Sequence, residues 1–232
     1  MLTANDFFCL DDDFKFKKTF LLSDRPWHWV HKIQSALKEF NLDVNNNKSD
    51  LLIPSSFHIK GKVFIHKSVK LPPYGSINGP CYIGKDTELR PGVYIRGNVI
   101  VGDSCVLGNS CEFKNSLILN NAQIPHFSYV GDSVIGNRSH LGAGVICSNL
   151  RLDKESIKVE DDSNDLVCTK MRKLGAIIAD DVEIGCNVVL NPGSLIMPKS
   201  MICPSVNFKG TLHPGKMIFP KKNFKSFKYN KD

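Results

Sequence analysis

Two cationic side chains stand at a spacing that suits recognition of a phosphate group. Arg96 and Lys114 are 18 residues apart, and each directly follows a large apolar residue, Ile95 or Phe113. If the fold stacks them, two cations about 5 Å apart repel each other unless an anion lies beside them. A phosphate is a suitable anion, because guanidinium and ammonium groups donate several hydrogen bonds to its oxygens. A solvated basic face without a ligand remains the alternative on spacing alone.

The imidazole of His126 adds a group that can accept a proton. His126 follows Lys114 by 12 residues. Histidine titrates closest to neutral pH among the side chains, so His126 is a candidate general base. A purely structural histidine is the alternative, and the choice depends on the elements that position this residue.

Those elements are predicted by a six-residue apolar period. Large apolar residues occupy every sixth position from Ile53 to Leu119, twelve positions in all. The period returns in shifted phases at Ile135 and from Ile178 to Phe208. This pattern is typical of a left-handed parallel β-helix, in which three hexads form one triangular coil and coils stack about 4.8 Å apart. A β-sandwich, the alternative, predicts a two-residue alternation with irregular turns.

The β-helix gives the chemical residues their geometry. An 18-residue coil places Arg96 and Lys114 on one outer face in adjacent coils, because each follows an inward residue. The period after Leu119 would next fall on Pro125 and instead resumes at Tyr129. We therefore expect irregular backbone around His126. No two of the seven histidines are five residues apart, the spacing of zinc ligands in hexapeptide-class carbonic anhydrases, so no metal site is predicted.

The N-terminal residues 1–50 lack the hexad. Pro26 precedes a run whose apolar residues, including Val30, Ile33 and Leu37, recur at helical spacing. We expect this helix to cap the first coil, because the open end of a β-helix needs covering. A docking role for a partner protein is the less favoured alternative.

Other segments divide the rest of the chain. The sequence predicts a polar linker at 43–50, a β-helix over 51–210 and a basic C-terminal tail over 211–232. Residues 148–173 fit no hexad and predict an extruded loop, for which a functional role is favoured over an inert insertion. The tail lysines are suited to the phosphates of a ligand, although a frayed, solvated tail is at least as strongly favoured.

Composition limits the classes of protein to consider. The 232 residues are 42% hydrophobic and 23% charged, which is ordinary for a soluble globular protein. The net charge of +7 is compatible with phosphate-bearing ligands, nucleic acid or a membrane surface and does not choose among them. There is no apolar run of membrane-spanning length, no signal-peptide pattern and no Walker or G-x-G-x-x-G motif. The eight cysteines form no C-x-x-C pair and are expected to be buried in a reducing compartment. A cytoplasmic protein is predicted, without nucleic-acid or membrane partners.

Two runs resemble a known family of hexapeptide-repeat acyltransferases. Residues 126–149 (HFSYVGDSVIGNRSHLGAGVICSN) are similar to the acetyltransferase domain of bifunctional UDP-N-acetylglucosamine pyrophosphorylase/glucosamine-1-phosphate acetyltransferases. Residues 172–185 (RKLGAIIADDVEIG) more closely resemble the archaeal-type sugar-1-phosphate nucleotidylyltransferase/amino-sugar acetyltransferase branch. The resemblance covers about residues 53–208 and does not include the family's pyrophosphorylase half.

The resemblance implies roles for particular residues. His126 corresponds to the general base, and Ala143 to a position whose backbone contacts coenzyme A. Cys186 and Cys203 correspond to small residues of the same channel. The residues that correspond to substrate-binding positions are Arg96, Lys114, Tyr129, His140, Asn149 and Lys173. His140 and Leu150 depart from the family's asparagine and tyrosine, and both departures concern the acceptor.

The implied function is transfer of an acetyl group from acetyl-CoA to the amine of an amino-sugar phosphate similar to glucosamine 1-phosphate. That reaction belongs to UDP-N-acetylglucosamine and cell-envelope sugar synthesis, and members of the family are homotrimers. Two alternatives stay open. The acceptor can be another amino sugar, a nucleotide sugar or a lipid A precursor, or the chain can be a non-catalytic β-helix that binds sugar phosphates or a partner.

Overall fold

The computed structural model describes residues 2–40, 51–163 and 165–220 and folds them around a parallel β-helix of about nine turns. The helical stack has three sheets, and the described residues contain one α-helix, α1 (His28–Glu39), after a short 3-10 helix (Ala4–Asp6). The predicted all-β fold class of hexapeptide coils is confirmed. The predicted linker at 43–50 and most of the predicted tail lie outside the described residues.

Each coil contributes one short strand to each sheet, in the order sheet 1, sheet 2, sheet 3. Sheet 1 contains β1 (Ser56–Lys60), β3 (Tyr74–Asn78), β6 (Tyr94–Ile95), β9 (Glu112–Lys114), β12 (Tyr129–Gly131), β15 (Ile146–Cys147), β20 (Val189–Leu190) and β23 (Asn207–Phe208). Sheet 2 contains β2 (Val63–Ile65), β4 (Cys81–Ile83), β7 (Val99–Val101), β10 (Ser116–Ile118), β13 (Val134–Ile135), β18 (Ala176–Ile178), β21 (Ser194–Ile196) and β24 (Thr211–Leu212). Sheet 3 contains β5 (Glu88–Leu89), β8 (Val106–Asn109), β11 (Gln123–His126), β14 (His140–Leu141), β19 (Glu183–Ile184), β22 (Met201–Ile202) and β25 (Met217–Ile218).

The inward side chains form continuous apolar columns, as the hexad predicts. On sheet 1, for example, Ile77 pairs with Ile95, and Ile95 pairs with Phe113 in the next coil. All three are fully buried. The β-helix extends past the predicted end at residue 210, because β24 and β25 continue sheets 2 and 3.

The change of register lies in a different place from the predicted one. Val101 stacks on Ile118, 17 residues later, so the side of the coil after Phe113 is one residue short. The strand that contains His126 is regular, since His126 pairs with Asn109 in β8. The expectation of irregular backbone at His126 is therefore wrong. The change of register occurs one side of the coil earlier, between the inward residues Phe113 and Ile118, which are five rather than six residues apart.

Tyr129 is also placed differently from the sequence expectation. Val130, not Tyr129, stacks on Phe113 and is fully buried, so it is the inward residue of β12. Tyr129 pairs with Glu112 and is only half-buried on the outer face of sheet 1. Because side chains alternate along a strand, this one-residue correction moves the phenol from the core to the surface.

Sheet 2 differs from the other two sheets in having an apolar outer face. Its outward column includes Tyr82, Ile100, Leu117, Val134 and Ile177, and all five are buried. At the same strand position, sheet 3 presents four polar residues (Glu88, Gln123, His140 and Glu183) together with Val106, Met201 and Met217. An apolar outer face needs a cover from elsewhere in the chain, since exposing it to water is costly.

The N-terminal segment is that cover. The predicted helix is present, but α1 packs against β7 and β10 in the middle of sheet 2 rather than over the first coil. Ile33 and Leu37 are buried, and Trp29 donates its indole N–H to the carbonyl oxygen of Leu21 at 3.1 Å. Phe16 meets Tyr82 edge-on at 5.1 Å between ring centroids. The expected role of the helix as an end cap is thus replaced by covering a sheet.

Residues 7–11 are fixed to the corner between sheets 2 and 3. There Asn137 donates to the carbonyl oxygen of Cys9 at 2.8 Å, and the Cys9 N–H donates to the Asp180 carboxylate at 2.9 Å. Asn120 donates to Asp11 at 2.7 Å. Burial raises the pKa of Asp180 above its usual range. The segment is therefore held by polar as well as apolar contacts.

The loop predicted at 148–173 leaves the coil after β15 and returns before β18, and it contains the antiparallel hairpin β16 (Lys158–Glu160) and β17 (Leu166–Cys168). Ile157 and Val159 are buried, and Thr211 donates its hydroxyl to the carbonyl oxygen of Glu160 at 2.5 Å. The loop therefore packs back on the corner between sheets 1 and 2.

Only half of the cysteines match the expectation of burial. Burial raises the pKa of Cys105 and Cys147 to about 12, and Cys81 and Cys111 are also buried. The exposed or half-buried ones are Cys9, Cys168, Cys186 and Cys203. Among the described residues, no helix is long and apolar enough to cross a membrane, and no group of three or more His, Cys, Asp or Glu residues is arranged to hold a metal ion.

Candidate active site

The cationic pair lies where the 18-residue spacing places it. Because Ile95 stacks on Phe113, the following residues Arg96 and Lys114 are neighbours in adjacent coils at the end of the sheet 1 strands. Lys60 and Asn78 pair one below the other at the same position in earlier coils. The column is therefore a geometric feature of the fold.

Carboxylates of the chain itself neutralise both cations. Arg96 Nη1 lies 2.6 Å from Glu112 Oε1, and Lys114 Nζ lies 2.9 Å from Asp132 Oδ2. These two carboxylates supply the anionic groups that the spacing requires beside the cations, and a bound phosphate at the column stays a prediction. The hydrogen bond to Glu112 raises the pKa of Arg96 further above its usual value. Each cation still has N–H groups free for a ligand, since guanidinium carries five and ammonium three.

Asp132 is the centre of this face, and the sequence reasoning assigned it no role. Its side chain is only 6% exposed and accepts hydrogen bonds from three groups. These are Lys114 Nζ at 2.9 Å, Asn115 Nδ2 at 2.8 Å and a short contact from Asn149 Nδ2. A buried carboxylate with several donors fixes their positions. Asp132 thus ties Lys114 and Asn149, two predicted substrate residues, into one rigid unit.

Tyr129 completes the unit by lying back over Gly131. A Cβ at Gly131 would be 2.4 Å from the Tyr129 hydroxyl oxygen, so only glycine leaves room for the ring. The hydroxyl oxygen accepts a hydrogen bond from Asn149 Nδ2 at 3.2 Å. Burial and the nearby charge of Asp132 raise the pKa of Tyr129 above its usual value. The phenol stays protonated and can donate its O–H to a ligand.

His126 stands at the other edge of sheet 1, on the corner that sheet 1 shares with sheet 3. The Gly144 N–H donates to the carbonyl oxygen of His126 at 3.1 Å, so Ala143 lies one coil above it. By the register of β14 with β19, Cys186 lies above Ala143. His126 and Cys186 are exposed, and Cys203 lies one residue before this column. Among the described residues, no side chain hydrogen-bonds the His126 imidazole.

Two predicted substrate residues lie apart from the sheet 1 unit. His140 is on the outer face of sheet 3, with Nδ1 at 3.0 Å from Glu183 Oε2. Lys173 is at the base of the extruded loop, paired with Leu150 by an isolated antiparallel bridge. It lines a cavity that also reaches Asp132. The structure thus gathers Arg96, Lys114, Tyr129 and Asn149, and separates His140 from them.

The fold and this hydrogen-bonded cationic face define a hexapeptide-repeat β-helix protein. A family model described as the GMPPB C-terminal domain matches residues 77–212, and the chain belongs to this family. The resemblance seen in the motif at 126–149 is confirmed at the level of homology.

Curated relatives extend the match. The chain is 34% identical to the bifunctional protein GlmU of Methanococcus vannielii over 178 residues, covering 77% of this chain and 41% of that protein. It is 37% identical to a bifunctional sugar-1-phosphate nucleotidylyltransferase/acetyltransferase of Sulfurisphaera tokodaii, covering 78% and 44%. It is 30% identical to the putative uncharacterized acetyltransferase YaiX of Escherichia coli, covering 67% of each chain. The chain spans less than half the length of the two bifunctional relatives.

Proposed function

We propose that this chain transfers an acetyl group from acetyl-CoA to the amine of an amino-sugar phosphate of the glucosamine 1-phosphate kind. The observation that carries the proposal is the buried Asp132 carboxylate, which fixes Lys114 and Asn149 on the face whose far edge carries His126. The names of the relatives support both acetyl transfer and a sugar-phosphate substrate. The expected cytoplasmic location and a place in UDP-N-acetylglucosamine or cell-envelope sugar synthesis are parts of the same proposal.

In the proposed mechanism the sugar phosphate binds at the Arg96 and Lys114 end of sheet 1, with the Tyr129 hydroxyl as an additional donor. This holds the amine near His126, which converts an encounter in solution into an oriented reaction. The amine nitrogen attacks the thioester carbonyl carbon, and His126 accepts the amine proton as the C–N bond forms. The C–S bond then breaks, and coenzyme A leaves as a thiolate that takes up a proton. The donor would lie along the corner of Ala143 and Cys186, with Cys203 beside it.

The direct test is a thiol-release assay with acetyl-CoA and a panel of amino-sugar phosphates. The proposal expects thiol release that depends on an amine acceptor carrying a phosphate. Absence of release with every amino-sugar phosphate, by a folded protein that binds these compounds, would indicate a non-catalytic sugar-phosphate binder instead.

Replacing Lys114 by alanine is expected to raise KM for the phosphorylated amino sugar by about 10- to 100-fold, from the loss of a charge-assisted hydrogen bond worth about 1.5–3 kcal/mol. KM for acetyl-CoA should change far less. Lys60→Ala is the matched control, because Lys60 occupies the same strand position in an earlier coil. Equal changes in both KM values would contradict the assignment of this column to the acceptor.

We also expect a homotrimer with threefold symmetry. No side chain of the described residues orients the His126 imidazole, so a second copy of the chain is a natural source of such a contact. Three exposed corners around a threefold axis give a closed assembly with equivalent interfaces. Sedimentation velocity at micromolar concentration should give the mass of three chains. A monomer that is fully active would show that the site is complete within one chain.

A further inference from the structure

A second concave site adjoins the acceptor face, at the corner between sheets 1 and 2. It is a cavity of about 580 Å³ between α1, the base of the extruded loop and the end of the sheet 1 strands. Its cationic lining consists of Lys154, Lys170, Arg172 and Lys173. Of these four residues, only Lys173 is a predicted substrate-binding residue.

The charge of the cavity is unbalanced within the described part of the chain. Its one lining carboxylate is Asp132, which already accepts hydrogen bonds from Lys114, Asn115 and Asn149. Among the residues that the structure describes, none of the four lining cations lies in an ion pair, whereas Arg96 has Glu112 and Arg138 has Asp181. Like charges that converge on one concavity raise its potential and favour a multiply charged anion.

The two arms of the loop are held together where these cations emerge. Arg172 Nε donates to the carbonyl oxygen of Lys154 at 3.3 Å, and Leu150 pairs with Lys173 across the base of the loop. Met171 is buried. The backbone that carries the cations is therefore fixed from both sides, while the charged ends remain exposed.

The direction of the sheet 1 strands indicates which part of the proposed substrate would lie near this cavity. A strand such as β12 runs from the His126 corner to the corner of Asp132, about 7 Å from Tyr129 to Gly131 at 3.3 Å per residue. The amine of the proposed acceptor lies at the first corner and its phosphate at the Lys114 end. A group attached beyond that phosphate would enter the cavity.

We propose that this cavity is a second anion subsite that binds the outer phosphate of a diphosphate. This proposal rests on the proposed function for its substrate direction. The chemistry is that of a nucleoside diphosphate, which an amino sugar linked to a nucleotide and coenzyme A both contain. The position beyond Lys114, away from the corner of His126 and Ala143, favours the nucleotide-linked acceptor over the donor.

The test measures binding directly by calorimetry, with inorganic pyrophosphate and inorganic phosphate as probes on the full chain. The double variant Lys154→Gln/Lys170→Gln removes two charges and keeps the side-chain stems. It is expected to weaken pyrophosphate binding by about tenfold or more, and phosphate binding by less. The matched control is Lys158→Gln, an exposed lysine on the hairpin of the same loop that does not line this cavity. Equal pyrophosphate affinity in the double variant and the control overturns the proposal.

Two further binding measurements determine whether the diphosphate belongs to a nucleotide sugar or to coenzyme A. Binding of a uridine diphosphate-linked amino sugar and of coenzyme A is compared between the same variants. Loss confined to the nucleotide sugar assigns the cavity to the acceptor, and loss confined to coenzyme A assigns it to the donor. Unchanged binding of both overturns the proposal. Acetyl transfer to a sugar monophosphate is measured separately, so that failure of the proposed function is distinguished from failure of this subsite.

Discussion

Replacing His126 by alanine is expected to lower kcat for acetyl transfer by about 10²- to 10⁴-fold, the range for loss of a general base. The methyl group cannot accept the amine proton, while the Lys114 end of the site is untouched. KM for acetyl-CoA should therefore change little, which marks a group that acts in the chemical step. Steady-state thiol release at saturating donor and acceptor is the measurement.

His140→Ala is the control for this prediction, since it also removes an imidazole, in this case from the outer face of sheet 3 rather than from the corner. Its side chain faces Glu183 rather than the acceptor unit, so a much smaller effect on kcat is expected. Both variants should be folded, with the oligomeric state of the wild type. A fully active His126→Ala protein would refute the acetyl-transfer mechanism and leave a β-helix that binds sugar phosphates.

Introducing a charge on the covered face of sheet 2 is expected to destabilise the fold strongly. Leu117 is fully buried on the outward column beneath the N-terminal segment. Leu117→Asp removes an apolar side chain and buries a carboxylate among apolar neighbours. The free energy of unfolding should fall by about 4 kcal/mol or more. The free energy of unfolding from urea denaturation is the measurement.

Met201→Asp tests whether the cover, rather than the strand position, causes that loss. Met201 stands at the equivalent outward position of sheet 3 and is 42% exposed. The exposed carboxylate should change the free energy of unfolding by less than about 1 kcal/mol, as surface substitutions do. Similar losses in the two variants would mean that the N-terminal segment does not protect sheet 2 in solution.

The coils were predictable from sequence because one side chain in six must enter the core and stack on the equivalent side chain of the next coil. The same rule located Arg96 and Lys114 correctly. It failed where a side of the coil has five residues, since the stacking of Ile118 on Val101 is decided by corner geometry rather than by a fixed count. Tyr129 was assigned to the core for this reason, and Val130 occupies that position.

The role of α1 was missed for a different reason. On sheet 2 the residue before each inward residue is generally apolar, as in Ile100 and Leu117. On sheets 1 and 3 the residue at that position is mostly polar. That pattern was present in the sequence and indicates a covered face. Asp132 was missed because its three hydrogen bonds join residues that only coil stacking brings together, Lys114 and Asn115 from the coil before and Asn149 from the coil after.

The covering of sheet 2 leaves the triangular stack with a single open edge in the part of the chain that the structure describes. Residues 7–11 occupy the corner between sheets 2 and 3, and α1 with the extruded loop occupies the corner between sheets 1 and 2. The remaining edge carries His126, Ala143 and Cys186. A molecule that reaches the His126 imidazole therefore approaches from this edge. The N-terminal segment thus makes the three edges of a nearly symmetric prism inequivalent.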